Sequence, residues 1–256
     1  EQVIVTKDIK NKKTTIDPAE HEKFSKLAEE WWNPKGKFKT LHNFNPTRIA
    51  FIREKIINHF DIAKDEKKPF KNIKLLDIGC GGGLLSEPMA KLGANVTGLD
   101  VVEKNIKTAS THAKNQGLKI NYIHSTVEKI SEKDKKFDVI LNMEVIEHVS
   151  DVNLFINSCN KILSPNGIMI FASLNRTLIS YGLAIIGVEY ILGWLPKGTH
   201  DWSKFITPDE LKILFSSNGL KIDEIIGMKY NPLFDSWKRS EDLSVNYLGV
   251  SSKINS

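Results

Sequence analysis

The chain has 256 residues, 41% of them apolar and 26% charged, enough to bury the core of one large globular domain. Its net charge of +5 comes mostly from scattered lysines. With no arginine tract and no basic stripe interleaved with aromatics, the charge argues against nucleic acid as a partner and suits an anionic membrane surface.

Residues 1–16 are polar and Lys-rich and are expected to be disordered. A helix is predicted from Asp17, with Pro18 in its first turn and Glu20 completing a capping box. Phe24, Leu27, Ala28 and Trp31 then recur at helical spacing. A second helix is predicted from Asn45 and Pro46, carrying Ile49, Ile52, Ile56 and Phe60, and residues 61–72 read as a charged linker. From Ile73 strands and helices alternate. Strands are predicted at 74–78, 95–100, 120–124, 137–143 and 167–172, and the clearest helix at 151–163. A capping box at Thr207 and Glu210 opens a last helix, and strands follow at 221–228 and 245–250. The alternation implies an α/β fold with a mostly parallel sheet of seven strands and helices on both faces. The two late strands are an antiparallel addition at its edge. The cysteines, Cys80 and Cys159, suggest neither a disulfide framework nor a zinc site and point to a reducing compartment. No secretory signal is read at the start, and beginning at Glu1 rather than Met fits a trimmed terminus.

The densest signal is the strand end at Asp77 followed by Gly79, Gly81, Gly82 and Gly83 and then a helix. Such a turn brings backbone close to a ligand. A dinucleotide fingerprint needs glycine where Leu84 stands, and a phosphate loop needs a Gly-Lys-Ser/Thr ending that is absent. The pattern resembles motif I of class I S-adenosylmethionine-dependent methyltransferases. An unobstructed backbone there lets the methionine part of the cofactor lie against the turn. The helix N-terminus can receive its carboxylate and Asp77 its ammonium group. Asp100 ends the second strand, where an acid takes both ribose hydroxyls; its alternative is to cap the following helix. Adenine contacts are expected near 125–128.

Other segments resemble the ubiquinone-biosynthesis O-methyltransferases: Trp31–Asn33, Phe38–His42, Asn45–Arg48, Glu144–His148, Leu174–Arg176, Glu189–Leu192, Pro196–Asp201, Tyr230–Pro232 and Val245–Tyr247. The resemblance covers about 17–250. It implies a Rossmann-like methyltransferase domain at 73–256, covered by N-terminal helices at 17–72 and carrying an apolar insertion at 174–206 after the fifth strand. It further implies methyl transfer to a phenolic oxygen of a polyprenylated catechol and of a demethylated ubiquinol, with other ubiquinone-biosynthesis proteins as partners. Matching positions place cofactor contacts at Arg48, Gly79, Asp100 and Met143, and motif I adds Asp77 and Gly81. Arg48 read alone is a solvated helix arginine, and Met143 is also a candidate for core packing.

Phenols have a pKa of about 10, so a base or a metal should assist. Glu144, Glu147 and His148 follow the fourth strand, and on a helical turn positions i, i+3 and i+4 share a face. They are a candidate divalent-cation site, for instance for Mg²⁺, chelating both catechol oxygens. The alternative is a cluster that shapes the cofactor pocket without metal. His148 is the preferred base, with Glu144 beside it and His200 as a rival. Residues 178–195 are apolar and nearly long enough to span a bilayer, but Glu189 and three glycines interrupt them. They read as a lid on the protein's own core or as a membrane-interface segment, with Tyr181, Tyr190 and Trp194 at headgroup depth between Arg176 and Lys197. The second reading places the protein in the cytoplasm, peripheral on the inner face of the membrane, or in the mitochondrial matrix of a eukaryote. The competing functions are methylation of a soluble catechol and a non-catalytic scaffold role.

Overall fold

The computed structural model describes residues 14–182, 202–231, 233 and 236–254. Order begins before Asp17, which corrects the boundary drawn at residue 16. Ile16 bridges to Val149, and the Thr15 N–H donates to Glu128 Oε1 at 2.6 Å. Helix α1 (Pro18–Leu27) is capped by Asp17, whose carboxylate accepts from the Ala19 N–H at 2.9 Å. Glu20 does not turn back to complete the box; its carboxylate goes to Lys23 and His148. Helix α2 (Lys39–His59) starts well before Asn45 and runs through Pro46. An internal proline costs a helix one hydrogen bond and a clash. Here the buried residues Phe44, Arg48, Phe51, Ile52, Ile56 and Ile57 hold α2 in place.

The described residues form an eight-stranded sheet in the order β3-β2-β1-β4-β5-β8-β6-β7. Strands β1 (Lys74–Ile78), β2 (Asn95–Asp100), β3 (Asn121–His124), β4 (Phe137–Met143) and β5 (Leu163–Leu174) are parallel. Strands β6 (Leu220–Asn231), β7 (Ser236–Ser240) and β8 (Asn246–Lys253) add antiparallel to the edge. The strand beyond the expected seven is β7, a short, partly exposed and charged edge strand. Strand β5 starts as soon as helix α6 (Val152–Ile162) ends, and a register shift against β4 absorbs the early start.

Strand side chains alternate between two cores. Leu75, Val139 and Ile170 pack under α2 and helix α3 (Ser86–Lys91), through Phe51, Ile52 and Met89. Leu76, Ile140 and Phe171 pack on the other face under α6 and helix α8 (Pro208–Ser217), through Phe155, Ile156, Leu211 and Phe215. Between them in sequence lie α4 (Glu103–Asn115), α5 (Val127–Ser131) and the single turn α7 (Leu178–Ser180). Strand order reverses between β1 and β4, which opens a crevice at their C-terminal ends.

Candidate active site

The β1–α3 turn sits in that crevice. Gly81 has φ +53°, and its N–H donates to Asp100 Oδ2 at 2.9 Å. The Trp31 indole packs where a side chain would stand, 2.4 Å from an added Cβ, so only glycine fits. Gly82 likewise faces Trp31, Gly83 faces Tyr122 and Gly79 faces Val145. The absent side chains therefore make room for the protein's own residues rather than leaving an open bed. Trp31 Nε1 donates to Asn105 Oδ1 at 2.9 Å and Trp32 Nε1 to the Gly82 carbonyl at 2.8 Å, pinning the N-terminal segment to the turn.

A cavity of about 780 Å³ runs along the C-terminal edge of the sheet. At one end it is lined by Asp77, Gly79, Leu99, Asp100 and residues 125–127. Asp100 also accepts from the Val102 N–H at 2.7 Å and from Asn105 Nδ2 at 3.3 Å, so it both holds the loop and faces the cavity. Burial pushes its carboxyl up, against those hydrogen bonds. Asp77 accepts from Ser86 Oγ at 2.6 Å. Burial pushes its carboxyl up to about 6, with the charge of Asp100 adding and Ser86 and Arg48 opposing. Glu128, expected near the adenine, bonds Thr15 instead and does not line the cavity.

Met143 ends β4, lines the cavity and also belongs to the core. Glu144 follows with φ +54°, and its N–H donates to the Ala172 carbonyl at 3.0 Å. That left-handed corner keeps Glu144 out of the short 3₁₀ turn at Ile146–His148. The three side chains consequently part. Glu144 Oε2 accepts from Arg48 Nη1 at 2.6 Å. Glu147, 3% exposed, accepts from Ser173 Oγ at 3.1 Å. The His148 Nδ1 is 2.8 Å from Glu20 Oε2, and the Phe24 ring lies edge-on to the imidazole. The predicted metal triad is corrected on this ground: its shared face needs a helical turn that Glu144 does not join. Among the described residues no group of three such ligands converges. His200 lies outside the described residues.

Arg48 is 3% exposed, donates through Nη2 to Asn45 Oδ1 at 2.9 Å and rests over the Phe44 ring. Its Nε is shielded and has no acceptor among the described residues. Asn45 Nδ2 in turn donates to the Leu84 carbonyl at 2.8 Å, which ties α2 to the end of the glycine turn. Sequence reasoning missed Glu20, Asn45, Asn105 and Trp237 as site residues. The first two carry capping signals that masked them, and the others carry no local signal.

Arg48 and an acid at the end of each of the first two strands line one cavity, which suits a ligand bearing a carboxylate, an ammonium group and a ribose diol. With this sheet, that defines an S-adenosylmethionine-dependent methyltransferase. Residues 76–171 match the methyltransferase domain family model. The fold is shared with an S-adenosylmethionine-dependent methyltransferase from Clostridium acetobutylicum (TM-score 0.59, 14% identity, 92% of this chain and 99% of that one). It is shared also with magnesium protoporphyrin IX methyltransferase from Synechocystis PCC 6803 with bound SAH (TM-score 0.57, 16% identity, 84% of each chain).

Sequence relatives are far nearer. Ubiquinone biosynthesis O-methyltransferase of Bartonella tribocorum is 57% identical over 92% of this chain and 96% of its own length. That of Pelagibacter ubique is 57% identical over 91% and 97%, and that of Brucella anthropi 52% over 94% and 97%. The chain belongs to the ubiquinone biosynthesis O-methyltransferases and is an S-adenosylmethionine-dependent O-methyltransferase.

Proposed function

We propose that the chain methylates a phenolic oxygen on two lipid intermediates of ubiquinone biosynthesis, a polyprenylated catechol and a demethylated ubiquinol, while docked on a membrane surface. The observation that carries this reading is the continuity of the cavity. It runs from Asp100 past His148 to an apolar, aromatic end at Met228, Tyr230 and Trp237. Ile179, which follows β5, also lines it, beside the exposed Leu178 and Tyr181.

Arg48, Asp77, Gly79 and Asp100 would hold the cofactor, which supplies a methyl group activated on a sulfonium. The chain's own part is to orient the acceptor and remove its proton. Glu144 is engaged by Arg48, and His148 is the base this reading prefers to His200, which lies outside the described residues. The contact with Glu20 holds the imidazole through Nδ1 at the cavity wall, where it can take the phenolic proton. Burial works against ionising Glu20, but His148 and Lys23 hold its carboxyl at about 2, so Glu20 keeps its negative charge beside the imidazole. Among the described residues Glu144, Glu147 and His148 do not converge on one point, and no step is assigned to a divalent cation. Among the described residues no helix is long and apolar enough to cross a membrane, and the exposed residues after β5 support peripheral docking.

A methyl-transfer assay with short-chain prenylated catechol, demethylated quinol and plain catechol tests this reading. Burying one prenyl unit is worth more than 1 kcal/mol on general grounds, so both prenylated acceptors should exceed plain catechol in kcat/KM by about tenfold or more. Equal turnover of plain catechol would favour a soluble substrate.

A further inference from the structure

Helix α1 and its cap present one face to the cavity beside His148: Asp17, Glu20, His21 and Phe24, at helical spacing, all line it. Yet α1 buries only Glu20 and Leu27. With so little apolar burial, polar ties decide where that face stands. Lys23 Nζ lies 3.0 Å from Glu20 Oε1 and 2.9 Å from Oε2. Lys23 belongs to the same helix, however, so it moves with the Glu20 carboxylate and cannot fix it against His148.

A second ammonium reaches Glu20 from another part of the fold. Lys204 stands on the short 3₁₀ turn Trp202–Lys204. Trp202 Nε1 donates to the Thr177 carbonyl at 3.0 Å, Phe205 is buried, and the Ile206 carbonyl accepts from the Tyr247 hydroxyl at 2.7 Å. The turn is thus fastened both to the segment after β5 and to β8. From it Lys204 Nζ lies 2.7 Å from Asp17 Oδ2 and 3.7 Å from Glu20 Oε1. The other Asp17 oxygen accepts from the Ala19 and Glu20 N–H groups at 2.9 and 3.4 Å. One carboxylate therefore joins the ammonium to the backbone of Glu20 itself. The Lys204 ammonium holds the Asp17 carboxyl below the usual carboxylate range against burial, and the two N–H groups add to it. Glu20 Oε2 then meets His148 Nδ1 at 2.8 Å.

The Lys204 side chain is 33% exposed, and an ion pair so exposed contributes little to stability. Its placement between two carboxylates points to another use. Lys204 does not itself line the cavity. We infer that Lys204 is a positioning residue for methyl transfer: it fixes the first turn of α1 so that Glu20 keeps the His148 imidazole in place for the acceptor. This inference rests on His148 being the base, as proposed above.

Lys204→Met keeps the length of the side chain and removes its charge. With a short-chain prenylated catechol its kcat should fall about tenfold, the scale of one charge-assisted hydrogen bond. KM, and SAH affinity by calorimetry, should stay within about twofold of wild type. Lys204→Arg should recover most of the loss. A residue that acts through Glu20 has nothing to act on once that carboxylate is gone. Adding Lys204→Met to Glu20→Gln should therefore change kcat by less than about twofold. Losses that multiply in the double variant make Lys204 an independent structural residue and overturn the inference. So does an unchanged kcat in Lys204→Met, a loss confined to KM or SAH affinity, or an arginine variant no faster than the methionine one. The base assignment is read separately from Glu20→Gln alone. If that variant keeps wild-type kcat, the assignment falls and the inference with it; if it is slow while Lys204→Met is not, the inference alone falls.

Discussion

Asp77 is a carboxylate kept from water at the end of β1. Burial raises its pKa to about 6 from the ordinary 3.8, the Asp100 charge adds to the rise, and Ser86 and Arg48 oppose it. An acid that holds its proton more tightly folded than unfolded makes stability fall as pH rises between those values and level off above them. In cofactor-free protein this predicts a downward slope of stability between about pH 4 and pH 6. Asp77→Asn should flatten the slope and raise Tm at pH 7, because the amide can still accept from Ser86. The same change removes the charged partner offered to the cofactor's ammonium group, so SAH should bind about tenfold more weakly or worse. Calorimetry across the pH range and a titration with SAH check both halves. An unchanged SAH affinity would remove Asp77 from the cofactor site.

At the scale of elements, the N-terminal segment completes the site that the sheet only begins. Helix α1 delivers Glu20 to His148, across 128 positions of sequence, and Lys204 Nζ approaches the same carboxylate at 3.7 Å. Fixing a base in one tautomer is worth on the order of a hundredfold in rate. Glu20→Gln should therefore lower kcat by about that factor, with KM and SAH affinity near wild type, and Glu20→Asp should recover part of it. Steady-state kinetics with SAH calorimetry decide; a loss confined to KM would make Glu20 a packing residue. The turn from Asp77 to Gly83, the acid at Asp100 and the alternation of strands were legible because each is a local pattern. The start of α2, the use of Glu20 and the shape of Glu144–His148 were not. Pro46 reads as a helix start, Glu20 as half of a capping box and Glu144 as part of a helical turn. Each local preference yields to a tertiary partner: the core under α2, the imidazole of His148, and Arg48 with the Ala172 carbonyl. Strand β7 escaped for a related reason, since a short charged edge strand has no alternation to betray it.

For the whole molecule, all of these parts meet at one edge of the sheet. The parallel half presents Asp77 and Asp100, the antiparallel half presents Trp237, and β4 ends between them. After β5, Ile179 lines the cavity and is 55% exposed, beside Leu178 at 82% and Tyr181 at 43%. Apolar side chains so exposed suit a surface that is itself apolar below a charged layer, and the net charge of +5 adds attraction to anionic headgroups. Flotation with vesicles containing anionic lipid tests the proposed docking. The wild type should float, and should release as salt is raised, because attraction between separated surface charges is screened. Leu178→Asp combined with Tyr181→Asp should abolish flotation. Turnover of a short-chain acceptor in solution should stay the same, because neither side chain belongs to the proton-transfer or cofactor groups, while turnover of a long-chain acceptor embedded in vesicles should fall. If the double variant floats as wild type does, the apolar residues after β5 are not the docking surface. If it loses short-chain turnover as well, they act on the cavity itself and serve as part of its lid.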